Sequence, residues 1–543
     1  MRLLQTTQSN PNNFNIFEFA DNNIPPYAIL SHTWEKEEVT LQDMQNGYAP
    51  SKLGFKKVKD SCSVAKASGF DYVWIDTCCI DKTSSAELSE AINSMYRWYH
   101  EADVCYVYLA DIQSESEFAK SRWFTRGWTL QELIAPSNMI FFDGMWRKLG
   151  TKKSLHHSIS QCTGIPADIL LGEDLETASV AQRMSWAARR QTTRIEDRAY
   201  SLLGIFGINM PLIYGEGKRS FVRLQEEILK VIDDHSIFAW ASKEEESHGG
   251  LLATSPAAFQ KCANIVVHNP FVTFGNEPLI ISSKGIHLGF NFVGLNQAGL
   301  GLAILHCTEH RKADCLIAIR LQDTSLTMQS FQRIHCEKAE LLDMTEFRAA
   351  LCPVKRICVK QRRLAAHRSP RSLARTGEYH VGEEEFAALL STTLDMKWDS
   401  ADTGRDPLLC AAKRGELNRV WSLLSRSDIR ADNQDIKGRT PLSYAAENGS
   451  GAIVKLLLFR PDVQPDSMSL DKQTPLHFAA KEGHFNVVKI LLETGKVSPN
   501  TSDKQGMTPL SCAVQNGDLS VVQLLLEKGA LMPSTDDPDQ TLL

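Results

Sequence analysis

Four prolines, Pro407, Pro441, Pro475 and Pro509, stand 34 residues apart. Three of them sit in Thr-Pro-Leu, at 440–442, 474–476 and 508–510. Each is followed by small residues, a glycine (Gly415, Gly449, Gly483, Gly517) and a Val-x-x-Leu-Leu run. A fixed period of this length marks a stack of supersecondary units, none of which can bury its apolar face alone. Within each period the pattern encodes two short helices. Proline is tolerated at the first helical position, where the N–H has no intrahelical partner, and glycine caps the helix end in the left-handed conformation. Residues 404–543 are therefore expected to form a helical solenoid of about four units. Asp406 replaces threonine in the first unit, which makes it a divergent cap. Ser534–Leu543 follow the last unit without a polar capping helix, so that end is expected to fray.

The stretch Pro475-Leu-His477-Phe-Ala-Ala-Lys-Glu-Gly483-His is close to the ankyrin consensus, and the array is identified as ankyrin repeats. The resemblance implies a surface that binds a protein partner. Side chains on the exposed hairpins and helices would set the target.

The chain of 543 residues is too long for one core, and about three or four domains are expected. A net charge of −6 argues against nucleic acid or anionic membrane as a partner. The thirteen cysteines are an odd count with no CxxC pair, which reads as reduced cytosolic thiols rather than a disulfide framework or a zinc site. The N-terminus turns polar after four residues, unlike a secretory signal. Leu202–Tyr214 is the most apolar stretch; Asn209 and Pro211 interrupt it and it is too short to span a bilayer. A soluble, cytoplasmic protein without a membrane span is expected.

The first 150 residues alternate strand and helix. Tyr27–Trp34, Tyr72–Ile75, Val104–Leu109 and Met139–Phe142 read as buried strands, and Leu53–Gly69 and the segment behind Ser84 read as helices. Ser84 and Glu87 have capping-box spacing. Strands joined by helical crossovers imply a parallel sheet covered on both faces, which binds ligands beyond the C-terminal strand ends. Ser31, His32, Asp76, Cys78 and Asp111 fall at those ends.

The segment SRWFTRGWTLQELIAP, Ser121–Pro136, opens as a loop and closes as a short helix stopped by proline. On a helical wheel Leu130, Leu133 and Ile134 share one face, while Trp128 and Glu132 share the opposite one. Glu132 is thus expected away from the helix's own apolar stripe. There it is either a working carboxylate or a surface glutamate paired with Arg122 or Arg126.

Three blocks, YAILSHTW at 27–34, WIDTCCIDK at 74–82 and RGWTLQELIAP at 126–136, resemble the hallmark motifs of the fungal heterokaryon-incompatibility (HET) domain. The likeness runs from about residue 25 to 235 and includes SWAARRQTTRIEDRAYSLLGIFGINMPLIYGEG at 185–217. It implies a fungal protein of self/non-self recognition whose HET domain triggers cell death. The Trp128-x-x-x-Glu132 spacing after the third strand is similar in turn to TIR domains, which implies a TIR-like (flavodoxin-like) core. In enzymatic TIR domains the corresponding glutamate supports cleavage of NAD at the nicotinamide bond. On that resemblance NAD is the expected substrate, no cofactor is required and Glu132 is the catalytic candidate. Ser31, His32, Trp34, Asp76, Cys78 and Trp128 are candidates for lining the site, Trp34 or Trp128 by stacking on a flat ring or by core packing alone. The alternative is a non-enzymatic signalling adaptor that acts by self-association of the HET domain.

Other constellations carry less. Cys78 or Cys79 could pair with His32 as a thiol nucleophile, or could be small buried apolar side chains. Asp76 and Asp81 could hold a divalent ion, but more simply cap a helix or bind loop amides. No metal site is expected. Gly215-Glu-Gly217-Lys218-Arg219 lacks the first glycine of a phosphate loop, and Arg219 sits where serine or threonine belongs. Arg189, Arg190, Arg194 and Arg198 form a solvated helix face or meet the anionic end of a ligand.

From 236 onward Ile286, Leu288, Phe290 and Phe292 alternate strictly, with short runs at Leu279–Ser282, Leu302–His306 and Leu316–Leu321. An antiparallel β domain is expected. Lys355–Arg375 carries eight lysines and arginines and no acid, and reads as linker, with a nuclear-localisation or anionic-surface role as the other reading. The expected division is an N-terminal segment (1–24), the HET α/β core (25–150), its helical extension (151–235), a β-rich domain (236–352), a linker (353–403) and the ankyrin repeats (404–543).

Overall fold

The computed structural model describes residues 1–7, 14–243, 250–268, 279–294, 299–312, 315–323, 330–343, 354–361, 406–424 and 429–531. Residues 362–375 of the basic run at Lys355–Arg375, most of the linker 353–403 and the tail Ser534–Leu543 lie outside the described residues; the start of the basic run belongs instead to a strand, Val354–Val359.

A seven-stranded sheet organises the N-terminal half. In chain order its strands are β1 (Arg2–Gln5), β2 (Ile16–Glu18), β3 (Ala28–His32), β4 (Tyr72–Trp74), β5 (Val104–Leu109), β6 (Met139–Asp143) and β7 (Lys148–Thr151). The spatial order is β2-β1-β4-β3-β5-β6-β7. Its centre is parallel: Ala28 aligns with Val73 on one side and Val104 on the other, and Cys105 aligns with Met139. The four central strands are those the apolar runs predict. Residues before 25 also supply β1 and β2, which extend one edge antiparallel.

Helices α1 (Leu41–Gln45), α2 (Phe55–Ala67), α3 (Asp76–Cys79), α4 (Ser85–Glu101) and α5 (Thr129–Ile134) connect these strands. Ala28–Leu30 and Val73–Ile75 are fully buried, as a sheet covered on both faces requires. On α4 the inward stripe is Ala91, Ile92, Met95, Trp98 and Tyr99. Its capping box is only half formed. Ser84 Oγ accepts from the Glu87 amide at 3.3 Å, but Glu87 turns to accept from the Asp81 amide at 2.8 Å and to pair with Arg2. An arginine and a loop amide outbid the cap for that carboxylate because charge-assisted bonds are the stronger ones.

The middle domain is β-rich and antiparallel as expected, but for one pairing and for its closure. Strands Leu300–Ile304, Gly285–Gly294, Val354–Val359, Ser330–Arg333 and Cys315–Gln322 pair in that order, and the first and last also pair with each other, which closes a five-membered ring. One pairing, Ser330–Arg333 with Val354–Val359, is parallel. The alternating Ile286, Leu288, Phe290 and Phe292 all point inward and are at most 5% exposed. Closure hides the strand edges, which an open sheet of this size would leave as unpaired backbone groups. The buried Arg333 joins the ring to the preceding segment, donating to the carbonyls of Phe238 (2.9 Å) and Trp240 (2.6 Å).

Among the described residues the C-terminal part is four helix pairs, beginning at Pro407, Pro441, Pro475 and Pro509. Thr440, Thr474 and Thr508 cap the first helix of each later pair, and Asp406 takes that place in the first, accepting from the Leu408 and Leu409 amides. Side chains tie neighbouring units: His477 bonds the Met507 carbonyl at 3.1 Å and His484 the Glu447 carbonyl at 2.9 Å. The first pair rests on the β ring, where Trp421 meets Phe292 edge to face at 6.1 Å between centroids.

Candidate active site

Strand β3 ends in Ser31-His32, and α5 returns over that end, so the two elements bring residues 101 apart into contact. Ser31 Oγ donates to Glu132 Oε2 at 2.5 Å and accepts from the Trp123 indole at 2.8 Å. The tryptophan is fully buried against Phe124 and Phe141 and so fixes the serine's rotamer. Every residue of α5 is buried, Glu132 included at 8% exposure. The expectation of an outward-facing glutamate is therefore corrected: this helix has no solvent face, because the sheet covers one side and the helical extension the other. The pairing with Arg122 or Arg126 is also not what is found. Arg122 forms its ion pair with Glu35, and the hydrogen bond on Glu132 comes from Ser31.

Burial pushes the Glu132 carboxyl up to about 7, against the opposing bond from Ser31. Asp76 adds to the rise, while Arg126 and Arg190 oppose it. A carboxyl so placed exchanges its proton near neutral pH, which suits acid–base or charge-stabilising work.

Beside it lies a second polar group. Trp34 donates its indole N–H to Asp76 Oδ2 at 2.7 Å, and Lys82 Nζ stands 3.6 Å over the Trp34 ring. His32 Nε2 approaches Asp76 Oδ1 at 3.8 Å and Glu38 Oε2 at 4.0 Å, and Lys57 bonds Glu38 Oε1 at 2.6 Å. Burial, then the cations Lys57, Lys82 and Arg126, hold the imidazole well below its ordinary value, so it is neutral at neutral pH. Burial also lowers Lys57 and Lys82. Six buried polar atoms here lack a hydrogen-bond partner: both His32 nitrogens, Thr33 Oγ1, Glu38 Oε2, Asp76 Oδ1 and Thr77 Oγ1. Buried polar atoms are normally satisfied, so this many at the ligand edge of a parallel sheet mark a place built to contact something polar.

Of the seven residues singled out from sequence, the structure joins Ser31 to Glu132 and joins His32 and Trp34 to Asp76. Cys78 is buried at the base of α3. A hydrogen bond with Cys79 and burial push its thiol far up, and its Sγ contacts the Ile75 carbonyl at 3.8 Å, an arrangement for an inert thiol rather than a nucleophile. Trp128 packs partly buried and lies near Asp197 of the helical extension, which accepts from the Tyr214 hydroxyl at 3.0 Å. It secures that extension against α5. Asp81 binds the Thr83 amide and Gln42, the loop role that its position after a strand predicts. Trp123, Glu38 and Lys57 belong to the site or its support and were not singled out, whereas Arg190 belongs to the arginine run that the sequence marks as a solvated face or an anion contact. Their contacts come from crossovers of chain that no local pattern encodes, although Trp123 stands inside Ser121–Pro136, Lys82 inside WIDTCCIDK and Arg190 inside the block at 185–217.

The HET-domain motifs are the ones that build this edge. Residues 27–121 match the model of the heterokaryon incompatibility protein (HET) family, 380–469 and 459–536 match ankyrin repeats, and 219–266 match a domain of unknown function. The chain thus carries a HET domain joined to C-terminal ankyrin repeats. Among relatives, it is 50% identical over 221 residues to the vegetative incompatibility protein HET-E-1 of Podospora anserina. That match covers 38% of this chain and 16% of the relative's length. Among the described residues no helix is long and apolar enough to cross a membrane.

Proposed function

We propose that this is a cytoplasmic effector of fungal heterokaryon incompatibility: its HET domain triggers cell death, and its ankyrin repeats bind the protein that sets it off. We further propose that the HET domain has a TIR-like core and hydrolyses NAD at the nicotinamide–ribose bond, with Glu132 as the essential carboxylate. The observation that carries the enzymatic reading is Glu132 itself: buried at the C-terminal edge of a parallel sheet, held at 2.5 Å by Ser31, with its proton exchanging at about 7.

The bond between nicotinamide nitrogen and ribose carbon breaks with its electron pair leaving on nicotinamide, and positive charge develops on the sugar. A desolvated carboxylate stabilises that charge far better than one in water and can hold the ribose hydroxyls. Water then adds to the sugar and loses its proton. Asp76 and Trp34, in the same edge, would contact the sugar and a flat ring.

The test is Glu132→Gln in a cell-death assay with cellular NAD measured in parallel. Loss of both killing and NAD depletion is expected. Full killing by the variant at unchanged NAD refutes the enzymatic reading and leaves the adaptor acting by self-association.

A further inference from the structure

Near the start of α5 a cavity of about 180 Å³ opens between the loop at Gly127, the end of helix Val180–Ala187 and the turn at Ser255. Three arginines line it, Arg189, Arg190 and Arg198, together with the hydroxyl residues Thr192, Ser201 and Ser255. No carboxylate is among its lining residues, and among the described residues none of the three arginines forms a salt bridge.

Arg190 is the built part of this site. It is 91% buried, since its exposure is 9%. Its Nε bonds the Trp186 carbonyl at 3.2 Å, and its Nη1 bonds the Arg126 carbonyl at 2.8 Å and Thr129 Oγ1 at 2.9 Å. Its Nη2 is buried with no partner. Three bonds therefore fix the guanidinium plane, the charge of Glu132 acts on it from nearby, and Nη2 is left without a hydrogen-bond acceptor, which is costly in a buried group. Arg198 reaches the same rim and touches Ser255 Oγ at 3.5 Å. Gly127 is needed for the shape: a Cβ there would fall 2.4 Å from Thr192 Cγ2.

We infer that this cavity binds a phosphate or diphosphate group of a small molecule, held by Arg190 at the base and by Arg189 and Arg198 at the rim. Planar guanidinium groups are the preferred partners of such oxyanions, and hydroxyls complete the shell. The volume is below the ~300–1,000 Å³ of sites that enclose a whole drug-sized ligand, so the cavity takes the anionic group and leaves the rest outside. This inference stands whether or not the domain hydrolyses NAD.

The experiment uses the full chain. Binding of inorganic phosphate, pyrophosphate, ADP and adenosine is measured by calorimetry and by shift of the unfolding midpoint, for wild type and for Arg189→Gln/Arg198→Gln. The doubly substituted positions are at the rim, so folding is kept; Arg190→Lys serves as a second variant, retaining charge but not the planar fork. Saturable pyrophosphate or ADP binding is expected, weakened roughly tenfold or more in the double variant by the loss of charge-assisted bonds at the rim. ADP above pyrophosphate assigns the group to a nucleotide, and equal binding assigns it to a free diphosphate. No saturable binding of any phosphate compound at ~10 mM, or equal binding by wild type and the double variant, overturns the inference; so does equal binding of adenosine and ADP.

Discussion

Replacing Glu132 by glutamine should make the HET domain more stable at alkaline pH, not less. Glutamine keeps the acceptor for Ser31 and the shape, and removes only the ionisation. In the folded state burial raises the carboxyl from 4.5 to about 7. Between those values the folded protein holds more protons than the unfolded chain, so stability falls as pH rises through this window. At 1.36 kcal/mol per unit, the full cost of ionising the buried group is about 3 kcal/mol, most of it incurred between pH 5 and pH 8. The advantage of Glu132→Gln over wild type should therefore grow by about 2.5 kcal/mol across that range. Urea unfolding of the full chain followed by tryptophan fluorescence reads this domain selectively, because eight of the ten tryptophans lie between 34 and 240. A difference that stays flat with pH refutes the argument that desolvation dominates. One that shrinks as pH rises would mean that Arg126 or Arg190 pairs with the carboxylate and outweighs burial.

Ser31→Ala should cost about 2–3 kcal/mol by leaving the Trp123 indole and the Glu132 carboxyl without their shared partner, and should shift the pH-dependent loss of stability above 7. If NAD hydrolysis needs the ionised carboxylate, activity should rise with pH through about 7 in wild type and lie at higher pH in Ser31→Ala; a pH-independent rate would contradict this. Gly204→Ala should abolish soluble expression or lower the unfolding midpoint by several degrees, since its Cβ would sit 2.1 Å from Tyr96 Cβ. Thr474→Ala should cost the ankyrin array ~1 kcal/mol through its helix cap, and His477→Ala more, because the imidazole joins Thr474 to the Met507 carbonyl of the next unit; circular dichroism of the repeat transition measures both.

Much of this molecule is legible in its sequence. The 34-residue period alone specifies helix pairs, their proline starts and their glycine ends, because these are local backbone requirements. The apolar runs likewise specify four buried strands, and crossover helices specify that they are parallel. From that it follows that Ser31, His32 and Asp76 lie at the ligand edge. The tertiary structure alone decided which of these residues touch. The helical wheel of α5 places Glu132 opposite Leu130 and Leu133, but whether that opposite face meets water or protein depends on what packs there. The extension, with Trp128 on Asp197 and Arg190 on Thr129, covers it and turns an apparently exposed glutamate into one with a proton near neutrality. The closed β ring and the edge strands from Arg2–Gln5 and Ile16–Glu18 were equally beyond local reading. Periodicity is set by the backbone within a few residues, whereas a carboxyl's partner and proton affinity are set by segments up to a hundred residues away.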